Sequence, residues 1–291
     1  MWGMIFRTPP APLRVAVSAL VIAFALSASA FAQQRPLVTQ DPEAIGAGNV
    51  LIEAGVEHGR SIFFPASGLE GNLWRLPTLG VVIGVGSIAE IQLTGSPYKR
   101  LSITDRQDAP FADLVEPGDT TSTVEDLVIG TKLRLLSESE GMPAIALRIA
   151  TRLPNASESS GIALDTTDFY ASILVGKSIE SVRVAVNAGL GILPDPVTAS
   201  RQNDVLTYGV SLARAIDERL DVVGELNGRL NTRGDSAPLG TESLSQLRAG
   251  ARYTIGSARL DVGAIVGLTS RDPGVGLTAG FTYMFKAFDV R

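Results

Sequence analysis

The sequence predicts an all-β fold, a closed antiparallel up-and-down transmembrane β-barrel of about twelve strands. Three observations predict it. Apolar side chains recur with period two over most of the chain after residue 48. Most of these alternating segments are close to the roughly 9–11 residues a tilted strand needs to cross a bilayer. The connections between them alternate between short and long, as tight periplasmic turns and longer outer loops do. A soluble sandwich also spaces its strands regularly, but nothing in its construction sorts turns by parity.

Composition removes the competing classes. Of 291 residues, 45% are apolar and 19% charged, which is too apolar for a disordered chain. With no cysteine and one histidine, thiolate metal sites, disulfide frameworks and most imidazole chemistry are excluded. A net charge of -5 leaves no broad basic surface for nucleic acid, and nothing calls for a cofactor or metal. The soluble lipocalin-like carrier has too few strands, usually eight.

The elements follow in order. Residues 1–32 read as a secretory signal peptide: Arg7 and Arg14, the apolar run Val15 to Leu26, then Ser-Ala-Ser-Ala-Phe-Ala before a cleavage expected after Ala32. That run is shorter than the ~20 residues of a spanning helix, so the protein is expected to be exported to the bacterial outer membrane. Residues 33–48 are expected either to enter the lumen as an internal stopper or to hang in the periplasm, and 49–291 to form the barrel. Strands are expected near 49–57, 73–85, 88–96, 124–136, 143–154, 168–177, 181–193, 204–215, 219–231, 244–255, 258–268 and 275–286. The longer loops fall at about 58–72, 97–123, 155–167, 194–203, 232–243 and 269–274.

The alternation is clearest in 181–193. Val182, Val184, Val186, Ala188, Leu190 and Ile192 share one face, with Arg183, Ala185, Asn187, Gly189 and Gly191 on the other. In 126–136, Leu127, Ile129, Thr131, Leu133 and Leu135 oppose Lys132 and Arg134; in 144–153, Ile145, Leu147 and Ile149 oppose Arg148 and Arg152. The last strand puts Leu277, Phe281, Tyr283 and Phe285 outward, with aromatics concentrated at the periplasmic end. The same parity turns Glu53, Glu57, Glu90, Lys132, Arg134, Arg148, Arg152, Arg183, Asp221, Glu225, Arg229, Arg248, Arg252, Arg259 and Asp261 inward.

Chemical motifs are weak. The Gly-Lys-Ser at 176–178 lacks the glycine and the helix of a phosphate loop, and Gly274, Gly276 and Gly280 miss dinucleotide spacing. His58, followed by Ser61 in an expected loop, is the one candidate for barrel-lipase chemistry, but no orienting acid accompanies it. The acids Asp105, Asp108, Asp113, Glu116 and Asp119 lack the spacing of a calcium loop. No catalytic residue is assigned.

Three stretches resemble a family. Thr39-Gln40-Asp41-Pro42-Glu43 with Gly46-Ala47-Gly48 and the strand from Asn49 looks like the opening of the outer-membrane transporter family named after the meta-pathway of phenol degradation. Glu125 to Lys132 resembles that family's fourth strand, and Pro143 to Pro154, ending Arg152-Leu153-Pro154, is similar to its strand closing on Leu-Pro. Gln40 stands where the family carries an acid. The resemblance implies transport of poorly soluble or aromatic compounds and brings no catalytic residues.

The function expected is passive passage of a small, anionic or aromatic solute. Arg148, Arg152, Arg183, Arg248 and Arg252 are expected to form a positive stripe supported by Lys132 and Arg134, with Glu53, Glu90 and Glu225 offsetting the charge and fixing the arginines. The alternatives are a structural, loop-displaying barrel with a blocked lumen and a barrel lipase. Expected partners are the lipid bilayer, a small solute, and the barrel-assembly machinery through the last strand ending near Phe285.

Overall fold

A computed structural model describes residues 34–198, 200–234 and 237–289, so the signal-peptide reading of 1–32 lies outside the described residues. Fourteen strands make a single sheet: β1 (Asn49–Phe64), β2 (Leu69–Gly84), β3 (Ala89–Gly95), β4 (Lys99–Arg106), β5 (Thr120–Thr123), β6 (Val128–Leu136), β7 (Ala144–Arg152), β8 (Asp168–Ile179), β9 (Val182–Pro194), β10 (Gln202–Ala215), β11 (Leu220–Asn231), β12 (Leu244–Ile255), β13 (Ala258–Gly267) and β14 (Val275–Lys286). Every neighbouring pair is antiparallel. The ring closes where β1 pairs with β14, from Asn49↔Lys286 to Arg60↔Val275, while its other edge pairs with β2.

Fourteen strands give a twelve-stranded barrel because two wall positions are each occupied by two strands. Along β2, residues Leu79 to Gly84 pair with β3 and Leu69 to Arg75 pair with β4, so β3 and β4 are successive lengths of one stave. Likewise β6 pairs with β3 and β5 with β4. Between the two lengths the ladder is interrupted at Ser96–Tyr98 and Val124–Leu127. Other bonds bridge the gap: Glu125 N–H to Ser96 O at 2.8 Å, Leu76 N–H to Tyr98 O at 2.9 Å, and Leu127 N–H to the Asn155 side chain at 2.6 Å.

This corrects two expected loops. Residues 58–72 contain the end of β1, a tight turn and the start of β2, and residues 97–123 contain β4, β5 and a 3-10 turn at Ala112–Leu114. The cause is irregular register. Shifts fall between Gly55 and Glu57 and between Gly59 and Ile62, and Ser61 has φ 52°, so side-chain alternation breaks while backbone pairing continues. The turn itself needs Gly68: its φ is 71°, and a Cβ there would sit 2.0 Å from the Gln107 carbonyl oxygen.

Burial is inverted relative to a soluble domain. Lys132 and Thr282 are 0% exposed and Glu90 1%, whereas Leu277 is 63%, Leu190 60% and Ile149 57% exposed. The outward apolar belt faces lipid, which satisfies the period-two pattern, and the inward face is a polar core. Apolar clusters survive at the two ends. Leu69, Leu73, Leu101, Val115 and Ile162 pack together on the long-loop side, and Ile45, Leu51 and Val82 on the short-turn side.

Candidate functional site in the lumen

Inward polar side chains need partners once removed from water, and many find them on the chain's own N-terminal segment. Residues 34–45 bond to nearly every sector of the wall. Glu53 accepts the Gln34 N–H at 3.3 Å, and Arg252 donates to the carbonyls of Arg35 at 2.8 Å and Gln34 at 2.6 Å. Arg35 itself reaches Asp261 at 3.3 Å, Thr78 at 2.9 Å and Thr278 at 3.0 Å. Farther along, Glu225 accepts the N–H groups of Val38 and Thr39 at 2.8 and 2.7 Å, a carboxylate spanning two consecutive amides.

The second half of the segment is held by charge. Arg183 makes a bidentate pair with Asp41, Nε at 2.7 Å and Nη2 at 2.8 Å, and its Nη1 donates to Glu138. Lys132 pairs with Glu90 at 3.0 Å and donates to the carbonyls of Asp41 and Glu43 at 2.9 and 2.6 Å. Arg134 pairs with Glu43 at 2.6 Å, and Glu90 also accepts the Ile45 N–H at 2.9 Å. Asn187 and Gln92 complete the clamp on Gln40, Asn187 through both its amide atoms and Gln92 through a reciprocal amide pair at 3.0 and 3.1 Å.

Next to Gln34–Gln40 lies a cavity of about 570 Å³ whose lining includes Arg75, Lys99, Arg148, Arg152, Arg248, Tyr170 and Tyr208. Most of its cations are neutralised. Arg75 bridges Glu57 and Glu125, Arg248 reaches Glu57 at 3.2 Å and Glu225 at 3.8 Å, and Arg152 reaches Asp168 at 2.7 Å and Asp126 at 3.2 Å. Tyr170 donates to Asp168 at 2.9 Å, whereas the Tyr208 ring lies on the outward face over Gly228 and donates to Ser245 at 2.8 Å. Arg148 differs: its one hydrogen bond among the described residues runs from Nε to the Gln92 amide oxygen at 2.8 Å.

The sequence-predicted residues therefore divide. Glu53, Glu90, Lys132, Arg134, Arg183, Glu225 and Arg252 all hold the N-terminal segment, while Arg148, Arg152 and Arg248 line the cavity, which Glu53 also touches. The acids do not simply offset arginines, since Glu90 pairs with a lysine and Glu53 with backbone amides. Sequence reasoning missed Asp41, Gln92, Asp126 and Asp168 as partners. Gln92 follows Glu90 on the inward parity and Asp168 opens β8, so parity alone points at them. His58 is not in a loop: it lies in β1, its ring stacked on Trp74 with centroids 4.3 Å apart.

The profile of the family described as "Putative MetA-pathway of phenol degradation" matches residues 33–285. No protein of curated function matches the sequence significantly. Among solved structures, an outer membrane channel from Pseudomonas putida F1 superposes with TM-score 0.59 at 14% identity, covering 84% of this chain and 98% of that one. The NanC porin gives 0.49 at 7% identity, covering 81% and 99%, and a mutant of the monoaromatic hydrocarbon channel TodX gives 0.41 at 11%, covering 85% and 93%. The first likeness supports the fold, and the other two are too low to add to it.

Proposed function

The chain belongs to the family just described, and on that premise we propose that it is a passive outer-membrane channel for small solutes, stoppered from within by residues 33–48. The observation that carries this reading is how the segment is held. From Gln34 to Ile45 it joins no strand ladder of the barrel and is fixed by side-chain hydrogen bonds and ion pairs. A wall strand cannot leave without opening the sheet to lipid, but a segment held this way can shift and leave the barrel closed. The mixed charges of the lumen suit passage of a small polar or charged group, and the cavity volume falls within the range of small-molecule sites, about 300–1,000 Å³.

Transport without chemistry is part of the same reading. His58 and Trp74 form an outward stacked pair, placed as interfacial aromatic side chains are in such barrels. We likewise read β14, with Phe281, Tyr283 and Phe285 outward near its end, as the strand presented to the barrel-assembly machinery.

Single-channel recording in planar bilayers tests the channel. The intact protein is expected to give small conductance, and deletion of residues 33–48 a conductance several-fold larger. Absence of current from both, with each folded, removes the channel and leaves the blocked, loop-displaying barrel.

A further inference from the structure

We propose that Arg148 is the anchor of a binding site for small monocarboxylates with an apolar body, above the N-terminal segment. The inference rests on the channel reading for its physiological meaning and on the cavity for its chemistry. Arg148 stands on the inward face of β7 and lines the cavity. A guanidinium has five N–H donors in a planar fork and stays charged. Here only Nε is used, on a neutral amide oxygen at 2.8 Å. Neither Nη1 nor Nη2 meets an acceptor among the described residues, and no carboxylate lies within 4.0 Å of the group.

The contrast with its neighbours gives this vacancy meaning. Arg75, Arg152 and Arg248 are each ion-paired with two carboxylates. Six basic and four acidic side chains line the space (Arg35, Arg75, Lys99, Arg148, Arg152 and Arg248 against Glu53, Glu57, Glu125 and Asp126), so its own acids do not balance its cations. Lys99, the other lining cation without a carboxylate partner, donates to the Ile162 carbonyl at 2.5 Å. Arg148 and Lys99 are thus the two lining cations without a carboxylate, and Arg148 is the one that keeps a planar pair of donors unused.

Geometry narrows the ligand. With Nε occupied by Gln92, the free edge is the end-on pair Nη1 and Nη2, which matches the two oxygens of one carboxylate. Around it the lining supplies the ring of Tyr170 and the inward apolar side chains of Val128 and Leu174. The Tyr170 hydroxyl is already engaged by Asp168, so what the ring offers is apolar contact. A carboxylate carried on a ring or short hydrocarbon matches both halves, whereas a cation meets repulsion and a neutral isostere leaves the fork unpaired. The same Gln92 that holds Nε also clamps Gln40, so the site is one side chain away from the stopper.

The test is calorimetric titration of the detergent-solubilised full chain with benzoate, with benzamide as the neutral isostere. Saturable benzoate binding at least tenfold tighter than benzamide is expected, and Arg148→Gln should lose that preference. Benzoate binding unchanged in a folded Arg148→Gln overturns the site. Should that variant fail to fold, the wild-type comparison decides, because equal affinity for benzoate and benzamide overturns it. Binding in detergent does not depend on conductance, so absence of current with the benzoate preference intact sinks the channel alone, while current without the preference sinks the site alone.

Discussion

Arg183 and Val184 are adjacent in β9 and live in different solvents. The arginine is buried in an ion pair with Asp41 and Glu138, and the valine faces outward among exposed Val186, Leu190 and Ile192. Period two assigns each side chain to its face from sequence, so the inward residues were legible by number. Their partners were not, because Arg183 and Asp41 are 142 positions apart and nothing local links them. Placing an arginine on the lipid face should be costly. Val184→Arg is expected to lower folding stability by about 2–4 kcal/mol if it sits at the bilayer midplane, less near an interface. Equilibrium denaturant unfolding in liposomes measures it, and an unchanged midpoint would contradict the face assignment.

At the scale of elements, the turn after β6 shows how a short connection is secured. Glu138 accepts the Ser178 N–H at 2.8 Å and its hydroxyl at 3.3 Å, and pairs with Arg183 and Lys177, so one carboxylate ties the turn to β8 and β9. Burial pushes this carboxyl up, but the Ser178 N–H and the charges of Arg183 and Lys177 outweigh it and hold it below its ordinary 4.5. A depressed folded value means the contribution is complete above the unfolded value and is lost as pH falls through the folded one. Part-exposed pairs of this kind contribute about 1 kcal/mol or less. Thermal unfolding of wild type and Glu138→Gln from neutral to about pH 3 should show the wild type more stable at neutrality and the gap closing in acid. A gap constant down to the acid limit would assign Glu138 no ionic role. Turns of this sort were readable from sequence because they separate clean alternating runs. The extension of β1 and β2 past residue 57 was not, since the left-handed Ser61 and the two register shifts scramble parity where pairing persists. The long loop 97–123 concealed β4 and β5 for a related reason: β5 has only four residues, and a run that short carries almost no periodicity.

For the whole molecule, the controlling requirement is that no strand edge meets hydrocarbon. The β1–β14 seam supplies it with twelve residue pairs, and an unpaired backbone group there would cost several kcal/mol. An even strand count is part of the same requirement. β1 and β13 are each antiparallel to β14, so they run parallel to one another and cannot substitute for it by pairing antiparallel. Polar side chains then point into a space walled off from lipid, where the N-terminal segment and the cavity share them. A chain truncated after Gly274 loses β14 and exposes two edges at once. It is expected to give no folded barrel in detergent, and the readout is gel mobility before and after heating together with protease resistance. A truncated chain that still migrates as a compact, heat-modifiable species with the strand content of the intact protein would show that closure through β14 is dispensable. The outward face would then need some explanation other than a sealed sheet in lipid.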